Sequence, residues 1–178
     1  NKEHAFRLGL VVNPYAGVGG PSALKGSDHK DSLRLASERG VEPKANQRVF
    51  EMLSALQTDL KNIHIVTASG NMGASACQSF SLNSLSIVFE APELTSAIDT
   101  HTAVQCIKNA HVDLLVFVGG DGTARDVFSV IGDKQTVLGL PAGVKMHSAV
   151  FAVTPKAVAS VIDSMINHRL VSARMAEV

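Results

Sequence analysis

Asp113-Leu-Leu-Val-Phe-Val-Gly-Gly-Asp-Gly-Thr123 is the stretch on which the reading of this chain turns. Leu114 to Val118 is apolar at every position. A strand half-exposed to water would alternate polar and apolar residues, so an unbroken run predicts a strand buried on both faces, as in a parallel sheet. Three glycines around one aspartate follow at once. Beyond them Val127, Phe128, Val130 and Ile131 recur at helical spacing, predicting a helix over 123–131.

Working outward, the same pattern repeats. Short β-branched runs at 8–12, 63–67, 85–89 and 137–140 read as four more strands beside 113–118. Between them, Val49, Met52, Leu53, Leu56 and Leu60 predict a helix over 44–60, and Ile98, Val104 and Ile107 predict one over 98–110. The last helix, 155–169, opens on Thr154-Pro155, a cap and first-turn pair, and carries Val158, Val161, Ile162, Met165 and Ile166 on one face. Strands alternating with helices predict an α/β fold: three layers, a mainly parallel sheet with helices on both faces. The Gly-, Ser- and charge-rich stretch 16–43 fits no element. It is expected to be mobile or to fold over the site described next, as long irregular segments in compact domains usually do.

Composition bounds the function. With 178 residues the chain is expected to be one domain, 1–178, large enough to need no disulfide or metal staple. It begins at Asn1 rather than Met, as a trimmed piece of a longer protein would. Sixteen basic residues balance sixteen acidic ones, which removes the electrostatic reason to expect nucleic acid or an anionic membrane as partner. One tyrosine, seven phenylalanines and no tryptophan leave little for base-stacking platforms. Cys77 and Cys106 sit in no metal or redox spacing and are expected to be buried free thiols of a reducing compartment. No apolar run approaches a membrane span and no signal-peptide pattern opens the chain, so a cytoplasmic location is expected.

The chemistry concentrates at strand ends. Gly119, Gly120 and Gly122 let a backbone approach a polyanion, and the N–H groups opening the next helix point toward it. Asp121 is the one acid in that loop, able to bind Mg²⁺ or to take a proton from an attacking hydroxyl. Gly-Asp-Gly is also a common turn, and Thr123 with Asp126 has the spacing of a capping box, so both readings stand. Asn13-Pro-Tyr-Ala-Gly-Val-Gly-Gly20 closes the first strand. It is neither a dinucleotide fingerprint nor a P-loop, because Ser22 stands at the third glycine position and Lys25-Gly26 reverses the order a P-loop needs. Pro141-Ala-Gly-Val-Lys-Met-His-Ser148 follows the fifth strand, with Lys145 able to neutralise phosphate charge and His147 able to carry a proton, although a solvated lysine and a structural histidine are the commoner fates. The remaining histidines form no metal pattern.

Together these loops resemble the superfamily of NAD kinases and diacylglycerol or sphingosine kinases, with phosphofructokinases as remoter relatives. Gly119-Gly-Asp-Gly-Thr123 matches the family signature, and Asn13-Pro14 with Gly17 and Gly19-Gly20 matches its first-strand motif. The longer strings Gly119 to Asp126 and Pro141 to Ser148 look like the branch described as predicted ATP- or polyphosphate-dependent NAD kinases. The resemblance implies phosphoryl transfer from ATP or polyphosphate, with Mg²⁺, to the hydroxyl of a small-molecule nucleotide, NAD first of all. It implies Asp121 as base or orienting acid and as a magnesium ligand. It assigns donor phosphates to Gly119, Gly120, Gly122, Thr123 and Arg125, and the nucleotide site to Asn13, Gly17, Gly19, Gly20, Gly143 and Lys145. The Gly-Thr-x-Asn-Asp pattern of the lipid kinases is missing from 143–147, which argues against a diacylglycerol kinase. A lipid or polyol kinase of the same fold and a non-enzymatic nucleotide-sensing protein remain alternatives. The family's second, β-rich acceptor domain is not found in these residues, so an apolar docking patch and homodimerisation through it are expected.

Overall fold

A computed structural model describes residues 5–16, 44–82, 84–142 and 154–176, with side chains of the last helix described through His168. Five strands form one sheet: β1 (Phe6–Val12), β2 (Ile63–Ala68), β3 (Leu85–Phe89), β4 (Leu114–Gly119) and β5 (Val137–Pro141). Their order is β3-β2-β1-β4-β5, and every pair is parallel. Each predicted strand is present within a residue or two of its expected bounds. Asp113 stays outside β4, its backbone N–H bonded to the Arg7 carbonyl and its carboxylate accepting the Arg7 N–H.

Alternation of side chains splits the sheet into two buried faces. Leu8, Leu10 and Val12 of β1 with Leu114, Val116 and Val118 of β4 face one side. Helices α1 (Lys44–Ala55), α2 (Ala74–Cys77) and α5 (Pro155–Ala176) cover it through Val49, Met52, Cys77, Val158 and Ile162. Val11, Val66, Leu115 and Phe117 face the other side. There α3 (Ala97–Asn109) and α4 (Asp121–Ile131) pack with Val104, Ile107, Val127 and Ile131. This is the three-layer α/β fold expected. Residues such as Leu8, Val116 and Phe117 are wholly buried, which is why their runs carry no polar alternation.

Several local expectations change. The helix expected over 44–60 ends at Ala55, because the N–H groups of Gln57 and Thr58 donate to the Asp163 carboxylate of α5 (2.9 and 3.0 Å). Leu56 and Leu60 then pack against the core from irregular chain and a short 3₁₀ turn (Leu60–Asn62). Ile98 and Phe128, expected to face the core, are exposed, Ile98 at 73%. Cys77 is buried as expected, whereas Cys106 is only half-buried; both are free. Thr154 caps α5 as read, its hydroxyl accepting the Ala157 N–H at 3.0 Å. The 3₁₀ turn Gly70–Met72 and α2 had no counterpart in the sequence reading. Of the stretch 16–43, expected to be mobile or to fold over the site, residues 17–43 lie outside the described residues. No helix among the described residues is long and apolar enough to cross a membrane.

Candidate functional site

The strand order places a site. From β1 the chain winds outward through β2 to β3, then returns to lay β4 on the other side of β1. The β1 and β4 loops therefore diverge at their carboxyl ends and leave a crevice, the position where open α/β sheets bind ligands. Val12 pairs with Val118 in register, so Asn13 and Gly119 emerge side by side. The Asn13 N–H closes the ladder on the Val118 carbonyl at 2.9 Å.

Helix α4 begins at Asp121, two residues earlier than its apolar spacing suggested. Gly120 is its N-cap and offers no side chain to the orphan N–H groups of the first turn. At the neighbouring helix α3, by contrast, the Asp99 carboxylate accepts the Ser96 N–H at 2.8 Å. Thr123 lies inside the first turn of α4 and is 3% exposed. Its hydroxyl accepts the Asn13 amide N–H at 2.9 Å. Asp126 faces His101 of α3, Oδ1 to Nε2 3.3 Å. The capping-box reading of Thr123 and Asp126 is thus corrected: neither side chain caps, because each is held by a residue far away in sequence.

The glycines divide by cause. A Cβ on Gly119 would lie 2.2 Å from Thr123 Oγ1, so only glycine admits the Thr123 side chain beneath the loop. Gly120 has φ −118° and, among the described residues, nothing within 4 Å of where a Cβ would stand. Gly122 has only the Arg125 guanidinium there, at 3.8 Å. Positive φ is confined, among the described residues, to His111, Gly70, Gly73 and Gly132. Among the described residues neither backbone conformation nor packing therefore accounts for Gly120 and Gly122, and Gly122, inside the helix, costs about 1 kcal/mol against alanine. What remains is open space above uncapped N–H groups, with Arg125 beside it. That is an anion cradle in geometry and in field.

Asp121 is half-buried at the head of α4, and no hydrogen bond or ion pair among the described residues engages its carboxylate. Asn13 is engaged at both ends, since its Oδ1 also accepts the Tyr15 N–H at 3.0 Å. The Tyr15 hydroxyl in turn accepts the Thr95 N–H at 3.0 Å, tying the β1 loop to the entry of α3. Sequence reading assigned no role to Tyr15 and overlooked Thr95; the Ser96–Asp99 spacing, a capping-box signal that went unread, would have placed a helix start beside it. Ala142 at the end of β5 donates to the Gly119 carbonyl at 3.2 Å, which brings the third strand end to the same edge. Gly17, Gly19, Gly20, Gly143, Lys145 and His147 lie outside the described residues. No cluster of three or more His, Cys, Asp or Glu side chains suited to a metal occurs among the described residues.

Comparison with known proteins follows this geometry. Among solved structures, that of yeast NADH kinase complexed with NADH is similar over 94% of this chain, with 17% identity and a TM-score of 0.47. The present chain spans 40% of that protein. Among curated proteins no match was found. A family model, the ATP-NAD kinase N-terminal domain, matches residues 8–170, a range that contains the crevice, both of its described loops and nearly all of the sheet. The chain belongs to the NAD kinase family, through its ATP-NAD kinase N-terminal domain.

Proposed function

We propose that this chain is the donor-binding part of an NAD kinase, which transfers a phosphoryl group from ATP or polyphosphate to a hydroxyl of NAD, giving NADP. The observation that carries the reading is the pair Gly120 and Gly122, open to the crevice over the uncapped start of α4. Phosphoryl transfer asks a protein mainly for positioning and charge neutralisation, which backbone N–H groups, a helix N-terminus and one acid supply. The first-turn N–H groups and Arg125 hold the donor phosphate. Asp121 takes the proton of the acceptor hydroxyl as that oxygen bonds to phosphorus and the bond to the donor's bridging oxygen breaks. The Asn13 amide donates to the Thr123 hydroxyl, which shapes the cradle and leaves the threonine O–H able to donate to phosphate.

In this reading Gly17, Gly19, Gly20, Gly143 and Lys145 extend the nucleotide site. Magnesium fits as a guest of one carboxylate and the donor phosphates, the usual mode for that ion, and Asp121 is the unengaged acid at the crevice. When bound it supplies charge neutralisation. The partners are small nucleotides, and a second, β-rich domain completes the acceptor side. Residues 1–178 alone then bind donor phosphate without useful turnover, because orientation of both reactants supplies roughly 7–11 kcal/mol of such a barrier.

The test is coupled NADP formation by the full-length protein with ATP or polyphosphate, beside the Gly120→Ala variant. A methyl group there should weaken donor binding about tenfold or more at unchanged fold, since nothing among the described residues meets it. Unaltered donor affinity in Gly120→Ala, or absence of NADP formation with either donor, would overturn the proposal.

A further inference from the structure

The β1 loop is held at two points. Asn13 fixes it to α4 through Thr123, and Tyr15 fixes it to the entry of α3 through Thr95. The second contact joins side chain to backbone across 80 residues of sequence. Thr95 is 6% exposed, so its N–H has little access to water and relies on the phenol oxygen. Asn13 Oδ1 holds the Tyr15 N–H between the two attachments, so the two residues form one brace. In sequence, Gly17, Gly19 and Gly20 follow within five residues of Tyr15.

We infer that Tyr15 is a positioning residue for the phosphate site, setting the β1 loop against the start of α4 from the α3 side. The inference rests on the proposed donor site and adds a residue to it. Tyr15 need not touch the ligand. Its hydroxyl removes one degree of freedom from the loop, and the loop's preorganisation is felt as donor affinity.

Tyr15 is the sole tyrosine and the chain has no tryptophan, so its emission reports this brace alone. The 178-residue chain would be titrated with inorganic tripolyphosphate and Mg²⁺, which do not absorb where tyrosine does, and followed by fluorescence and calorimetry in parallel. The expected result is a saturable change in Tyr15 emission tracking the calorimetric Kd. In Tyr15→Phe, the Kd should rise roughly 3- to 10-fold at matched folded fraction, the scale of one lost hydrogen bond. If Tyr15 is purely structural, Tyr15→Phe lowers the thermal midpoint with its calorimetric Kd unchanged, and the wild-type emission stays flat on binding; that outcome overturns the inference alone. Failure of the wild-type chain to bind tripolyphosphate overturns the donor-site reading and the inference with it.

Discussion

Gly119 and Thr123 occupy one space: a Cβ on the glycine would stand 2.2 Å from the threonine Oγ1 and 2.5 Å from its Cβ. The contact explains why β4 ends in glycine and why Thr123 turns inward to meet Asn13. Gly119→Ala should therefore destabilise by about 1–3 kcal/mol, the range for overpacking a tight site. Thr123→Ala also loses its bond to Asn13, but in the double variant the contacts with Oγ1 and Cγ2 are gone and only the 2.5 Å contact with the Cβ of residue 123 remains. Urea denaturation of the two single variants and the double should show the double less destabilised than the sum. Strict additivity would mean that the two residues do not compete for this space.

Asp121 and Asp126 make a matched comparison. Asp121→Asn should lower kcat of the full-length protein about 10²- to 10⁴-fold, the usual worth of one positioned acid–base group. Nucleotide binding should survive, because the amide is nearly isosteric and the phosphate contacts are made by first-turn N–H groups and Arg125. Asp126→Asn alters a part-exposed contact with His101 and should change stability by no more than about 1 kcal/mol, with turnover intact. Equal loss of turnover in both, at matched folded fraction, would assign the chemistry to another acid.

Asp163 provides a pH signature. Its partial burial acts to raise the carboxyl pKa, but the Thr58 hydroxyl and the Gln57 and Thr58 N–H groups outweigh that and hold it below the ordinary carboxylate range. A depressed folded value means the clasp contributes fully above the unfolded pKa, about 3.9. The contribution then fades as pH falls through the lower folded value. Asp163→Asn should have a lower urea midpoint at pH 7, and its deficit should shrink as pH drops below about 4. A deficit independent of pH would show that the charge plays no part.

The thiols should differ in reactivity. Burial pushes the Cys77 pKa up to about 11, leaving almost no thiolate at neutral pH, whereas Cys106 is half-buried. With a disulfide reagent at pH 8, the native chain should be labelled at Cys106 and spared at Cys77 until urea is added. Mass mapping of early labelling at Cys77 would indicate that α2 opens readily from the core.

Sequence by itself determined the strands, the fold class and the loop at the end of β4. These are local: an apolar run such as Leu114 to Val118 must be buried on both faces wherever it sits, and glycines directly after it leave the next helix uncapped. The 3.6-residue period located the helices but not their ends, which depend on partners far along the chain. Asp163 takes the N–H groups that would have continued α1, and the first turn of α4 escapes the apolar period because it is glycine and aspartate.

The spacing of Thr123 and Asp126 was equally consistent with a capping box, since spacing registers neighbours within one turn. Only the parallel pairing of β1 with β4 sets Asn13 beside Thr123, 110 residues apart, and only the packing of α4 on α3 sets Asp126 against His101. Tyr15 and Thr95 meet for the same reason. Which residues were rich in chemistry could be read along the chain. Which of them are free for a ligand, and which are spent on one another, was decided by the sheet's topology, because in a doubly wound fold the loops that share a crevice are separated by whole helices.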